Sequence, residues 1–252
     1  MKRGNRKKKP PRRRRGCLAR LLRGTLGLLL LALLAAAGLA GWWWLTWPDV
    51  TALAGTDPST TAFIERSRES NGAGAVRWTP VPGEAISNRL RLAVVVAEDI
   101  GFFDHQGFAG DEIRAALEDT LRQGKPLRGA STITQQLAKN LWLSPGRNPL
   151  RKLREALFTI HLERDLTKER ILDLYLNSAE FGPSIFGAEA ASRHFFGKPA
   201  SALTTAEAAA LAAGLSRPSK WHPGCGSRAY EKHVRTIRRR MERARGLPFG
   251  GN

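Results

Sequence analysis

From Gly24 to Pro48 the chain carries no charged side chain. The run TLGLLLLALLAAAGLAGWWWL inside that stretch, wound as a helix rising about 1.5 Å per residue, is long enough to cross about 30 Å of hydrocarbon. Trp42, Trp43, Trp44 and Trp47 gather at its far end, where the headgroup layer favours amphipathic rings. The pattern then changes. Residues 49–84 hold TALAGTDPSTTAF and TPVPGEA, rich in turn formers, and read as an extended linker. From Asn88 the spacing is helical. LRLAVVVAED is an apolar run ending in acids. DEIRAALEDTLRQG closes at Gly124, placed as a C-cap. STITQQLAKNLWL follows a glycine, with Ser131 as its N-cap. PLRKLREALFTIHLERDL sets Leu150, Leu153, Leu157, Ile160 and His161 three or four apart, the period of an amphipathic helix. KERILDLYLN, FGAEAASRHFF and TTAEAAALAAGL are further helices, the last with Thr204 and Glu207 spaced as a capping box. SRAYEKHVRTIRRRMERAR is a basic C-terminal helix. No convincing alternating strand appears, so the reading is a predominantly α domain.

Charge gives the apolar run a direction. The formal net charge is +19, but residues 1–24 alone hold twelve Lys and Arg and no acid. The remainder carries 29 Lys and Arg against 22 Asp and Glu. Beyond the apolar run no Lys or Arg occurs until Arg66. By the positive-inside rule the N-terminus is cytoplasmic and the chain from about residue 49 lies outside. The length of the run and the bulky Trp cluster that follows favour an uncleaved anchor over a cleaved leader. The two cysteines, Cys17 and Cys225, flank the apolar segment, so a disulfide between them is rejected. Neither shows zinc spacing. Lipidation of Cys17 is the alternative to a plain thiol.

Three clusters carry candidate chemistry. In EDIGFFDHQGFAGDE, residues 98–112, Glu98 and Asp99 end an apolar helix. A carboxylate on such an edge can have a raised pKa and serve as acid or base; the plainer reading is a solvated helix terminus. In RGASTITQQLAKN, residues 128–140, the dense polar run suits a sugar- or phosphate-binding face, or simply an exposed helix. In RKLRE, residues 151–155, Arg151 and Glu155 share a helix face. They make either a surface ion pair or, with Lys152, an anion site.

In this order and spacing the clusters resemble the peptidoglycan glycosyltransferases, family 51 of the glycosyltransferases, in their stand-alone monofunctional form. The first motif is carried by Glu98, Asp99, Phe102, His105 and Gly107. The second runs from Gly129 to Asn140. The third is Arg151, Lys152 and Glu155. The fourth is KERILDLYLNSAEFGPSIFGAEAASRHFFGK, with Tyr175, Leu176, Asn177, Gly182 and Gly187. The fifth is LTTAEAAALAAGLSRP. Ala109 departs from the pattern where relatives often carry an acid, and Asp111 matches a later acid in some of them. Gly101 replaces a longer side chain. The resemblance covers roughly residues 80–225.

The resemblance implies a lysozyme-like helical glycosyltransferase domain with a small membrane-associated lobe, preceded by one transmembrane helix. The divisions are a basic cytoplasmic tail (1–23), the transmembrane helix (24–47), a linker (48–80), the glycosyltransferase domain (81–225) and a basic C-terminal helix and tail (226–252). It further implies polymerisation of lipid II onto an undecaprenyl-pyrophosphate-linked glycan, giving β-1,4 strands with inversion. Glu98 is then the base, and Glu155 a second catalytic carboxylate that orients the basic cluster, holds a metal or assists departure. Lys139, Arg151 and Lys152 offset charge on the leaving pyrophosphate. Asp99, Phe102, His105, Ser131, Thr132, Gln135, Gln136 and Asn140 are the further substrate-binding candidates. The implied cofactor is at most a divalent cation, Mg or Mn. The implied location is the inner membrane, single-pass, with the domain periplasmic and other cell-wall or division proteins as partners. About thirty residues follow the fifth block and no S-x-x-K with K-T-G occurs, so cross-linking is not expected. The rivals are a lysozyme-like lytic enzyme, which has no need of the Lys and Arg cluster, and a basic scaffold or nucleic-acid binder, which leaves the motifs unexplained.

Overall fold

The computed structural model describes residues 15–45, 47–110, 131–144, 146, 148–244 and 246–249. Gly129 of the second motif, Asp111 and the expected helix over 111–124 lie outside the described residues. The chain forms two compact units, 1–49 and 50–252, each considered by itself.

The first unit holds one long helix, α1 (Arg15–Leu45). It starts inside the basic tail, where arginine is a good helix former. Its Leu22–Leu39 stretch is long and apolar enough to cross a membrane, and every described side chain in that stretch is exposed. Trp43 and Trp47 stack at its end with ring centroids 6.2 Å apart. One apolar N-terminal helix of this kind fits a single-pass anchor.

The second unit begins at Val50. Residues 50–80 do not run as an extended linker. They hold α2 (Ala62–Asn71), capped by Thr61, whose side chain accepts from the Ile64 amide. This helix packs on α4 (Ile133–Trp142), buries Ile64 completely and reaches a distant turn through Asn71, which donates to Ser184 Oγ at 3.1 Å. The sequence hid it because AFIERSRESN buries almost nothing else and shows no apolar stripe.

The core is built around α3 (Asn88–Glu98), in which every residue from Leu90 to Val96 is buried. The helix lies against α8 (Thr205–Gly214) and α9 (Arg228–Arg243). α8 is alanine-rich, so neighbouring backbones approach closely, and its Thr204–Glu207 capping box forms as expected. α4 packs on α5 (Pro149–Asp165) and α6 (Lys168–Ser178). α7 (Ala188–Phe196) completes the helices among the described residues.

Three strands of two or three residues do occur. β1 (Arg77–Trp78) pairs in parallel with β3 (Ile185–Phe186), which pairs antiparallel with β2 (Glu180–Gly182). They are too short to leave an alternating pattern. Asn177 ties the segment that follows β1 to α6: its side chain accepts from the Val81 amide at 3.0 Å and donates to the Val81 carbonyl at 2.9 Å. The domain is thus predominantly helical, as the sequence indicated.

Candidate active site

Glu98 sits at the C-terminal end of α3, half-buried. Burial pushes its carboxyl above the usual range. A hydrogen bond from Gln136, the charge of Lys139 and a hydrogen bond from Ser216 pull the other way, and Asp99 adds to the rise. A carboxyl poised by these opposed effects can take up and release a proton in a working pH range. The solvated-terminus alternative therefore does not describe Glu98.

Asp99, Phe102 and His105 lie beneath it. Asp99 is buried and accepts from His105 Nε2 at 2.9 Å and from the Ile133 amide at 3.0 Å, at the start of α4. The Gly107 amide donates to His105 Nδ1 at 3.0 Å. A backbone amide can only donate, so Nδ1 accepts and the ring proton is on Nε2, facing Asp99. Phe102 is fully buried, and Lys168 Nζ lies 4.5 Å from its ring centroid. These three motif-one side chains brace the loop and seat α4 against it. Gly107 is required here: its φ is +83°, and a Cβ would stand 2.6 Å from the Thr159 methyl. Gly107→Ala is expected to lower stability by about 1–3 kcal/mol, from strain and overpacking; urea unfolding of the full chain measures it.

The polar run of α4 divides between cap and site. The N-cap is Thr132, not Ser131: its Oγ1 accepts from the Gln135 amide, and the Gln135 side chain accepts from the Thr132 amide. Thr132 also donates to the Gly107 carbonyl at 2.8 Å. Thr132 and Gln135 are buried in this duty, and Asn140 is buried as well. Gln136 donates to Glu98 Oε2 at 2.9 Å, and Ser131 is exposed beside it.

Lys139 links the clusters. It is half-buried on α4, its ammonium 5.6 Å from the Phe63 ring centroid of α2. Burial lowers its pKa. Glu155 and Glu98 raise it, and Arg151 and Lys152 lower it. The second and third motifs and the Glu98 carboxylate therefore share one electrostatic neighbourhood. On α5, Glu155 is buried; Arg151 Nη1 lies 3.0 Å from its Oε2, and Lys152 contacts its Oε1. This is a charge cluster with one carboxylate inside and cations outward, not an exposed pair. Leu150, Leu153 and Ile160 are 63%, 52% and 50% exposed. The helical period of α5 is as expected, but its apolar stripe faces outward while Glu155, Phe158, Thr159 and Leu162 are buried.

Sequence reasoning assigned no role to Ser216, Phe63 or Tyr175. Tyr175 was visible only as part of the fourth motif and Ser216 only as part of the fifth, while Phe63 left no local signal.

A helical domain with a poised Glu at a helix end and a Lys–Arg–Lys cluster within electrostatic reach can set a proton acceptor beside groups that stabilise an anion. The transglycosylase family profile matches residues 66–242. A biosynthetic peptidoglycan transglycosylase of Azoarcus sp. (strain BH72) is 48% identical over 189 residues, 73% of this chain and 81% of its own. Proteins of the same name from Nitrosospira multiformis and Pasteurella multocida are 43% and 47% identical, covering 75% and 69% of this chain and 84% and 70% of theirs. The chain belongs to the transglycosylase family.

Proposed function

We propose that this transglycosylase polymerises lipid II into β-1,4-linked glycan with release of undecaprenyl pyrophosphate. It is a peptidoglycan glycosyltransferase by family. The observation that carries the finer reading is the half-buried Glu98 facing Gln136 with Lys139 in electrostatic reach. Glu98 takes the proton of the acceptor sugar hydroxyl as that oxygen attacks the donor anomeric carbon. Attack opposite the leaving group inverts the configuration there. Charge grows on the departing pyrophosphate, and Lys139, Arg151 and Lys152 stabilise it electrostatically. Glu155 holds Arg151 and Lys152 in place. Ser131, just before the Thr132 cap, and Gln136 on α4 are the polar groups assigned to direct contact with sugar or phosphate. Asp99, Phe102, His105, Thr132, Gln135 and Asn140 serve the substrate through the shape of the loop and helix.

Both substrates are lipid-borne, and the outward Leu150, Leu153 and Ile160 lie on the same helix as Arg151 and Lys152. That pairing supports a domain working against the outer face of the inner membrane, with the α1 segment as its anchor and the basic tail cytoplasmic. Among the described residues no group of three or more His, Cys, Asp and Glu side chains comes together, and Glu155 is already neutralised by its two cations. No step is routed through a divalent cation.

Activity requires Glu98 ionised and Lys139 charged. Glu98 is displaced above the ordinary 4.5, so activity falls as pH drops through that raised value. Lys139 is displaced below the ordinary 10.5, so activity falls again as pH rises through that lowered value. The expected kcat/KM profile is a bell narrower than those two ordinary values span; a plateau across the whole interval contradicts it. The function itself is tested by offering the purified full chain either lipid II or intact sacculi. Polymer from lipid II and no soluble fragments from sacculi is the expected outcome. The reverse identifies a lytic enzyme.

A further inference from the structure

Behind Glu98 runs a line of polar groups that proton transfer does not by itself require. Gln136 Nε2 donates to Glu98 Oε2 at 2.9 Å and to the Ser131 carbonyl at 3.3 Å. On its other side, Tyr175 Oη donates to Gln136 Oε1 at 2.9 Å. Tyr175 is 1% exposed, on a helix different from those carrying Gln136 and Glu98. We propose that Tyr175 is a positioning residue for glycosyl transfer: its hydroxyl fixes which way the Gln136 amide faces, so that an N–H and not a carbonyl meets the Glu98 carboxylate. The inference rests on Glu98 being the base.

The chemistry of an amide gives the relay its direction. A primary amide has a donor end and an acceptor end, and turning it over exchanges them. With Oε1 held by a hydroxyl donor, Nε2 points at Glu98 and favours its ionised form, the form that can accept a proton. With the amide reversed, a carbonyl oxygen would face the carboxylate. That arrangement suits only protonated Glu98, which has an O–H to donate. Burial and the nearby negative charges of Glu98 and Asp99 hold the Tyr175 hydroxyl protonated, so its donor role persists across the working range. A phenylalanine ring would pack equally well in this position. The hydroxyl is therefore the part that packing leaves unexplained.

The other groups facing Glu98 do not replace this control. Asp99, its neighbour, disfavours its charge, while Lys139 and Ser216 favour it. From α9, Arg240 donates to the Val96 carbonyl at 3.2 Å and is thus committed to backbone. None of these contacts the Gln136 carbonyl.

The test is a double-mutant cycle in the full chain on lipid II, with Tyr175→Phe, Gln136→Leu and the pair. Tyr175→Phe is expected to lower kcat about tenfold with KM little changed, the size of effect expected for a lost hydrogen bond in the transition state. It should also move the acidic limb of the pH profile upward, which loss of packing would not do. In the Gln136→Leu background the same change should have no further effect, because the amide it acts through is gone. Equal loss in both backgrounds, or an unmoved acidic limb, overturns the proposal. Should Tyr175→Phe fail to fold, side-chain amide exchange in the wild-type protein decides: slow exchange at Gln136 is expected, and exchange at the free rate contradicts it. Glu98→Gln in parallel separates the two levels, since an active Glu98→Gln protein sinks the assignment of the base itself.

Discussion

Glu98→Gln is expected to reduce lipid II polymerisation by about 10²–10⁴-fold, the range lost with a general base, while the protein keeps its fold. The substitution is nearly isosteric, and the new side chain still offers an oxygen to Gln136 Nε2, so the contact at 2.9 Å can persist. What disappears is the ability to accept the acceptor's proton. The melting temperature should stay close to that of the parent, which distinguishes lost chemistry from lost structure. A variant that is folded and still polymerises at the parent rate would remove Glu98 from the mechanism.

The second large effect is expected at Lys139. Lys139→Met keeps the length and much of the apolar contact but removes the charge that Glu98 and Glu155 both feel. Removing one preorganised charge from a site where anionic charge develops costs about 10²–10³-fold in kcat. The loss should appear in kcat more than in KM, because the pyrophosphate gains negative charge on departure. A Lys139→Met protein with unchanged kcat and raised KM would mean that Lys139 only binds the ground state. Arg151→Ala is less clean, because it also leaves buried Glu155 with one cation fewer, and unpairing a buried charge is itself destabilising.

Much of this site could be read along the chain because its functional groups come in contiguous blocks. Glu98 ends an apolar run, Lys139 sits in a polar helix, and Arg151 and Glu155 are one turn apart. What could not be read was which of these side chains hold the loop and helix together. Thr132 and Gln135 look like ligands in a line of letters, yet they cap α4. Asp99 and His105 likewise read as substrate-binding candidates, and their hydrogen-bond partners include each other and two backbone amides. The cap and the Asp99–His105 pair are local, three and six residues apart, but the contacts that seat α4 on the loop, Thr132 with Gly107 and Ile133 with Asp99, span 25 and 34 residues, which periodicity does not encode. The same limit explains α2, whose place is set by contact with α4 and the Ser184 turn, and the outward stripe of α5. Apolar spacing announces a helix, but only packing decides whether that face meets core or lipid.

The bond the protein makes is the most direct test of an inverting, base-assisted transfer. Purified full-length protein with radiolabelled lipid II should give long glycan whose new linkages are all β-1,4, with one undecaprenyl pyrophosphate released per bond formed. Linkages that retain the α configuration, or free disaccharide released by water in place of polymer, would contradict a base-assisted, inverting transfer by Glu98.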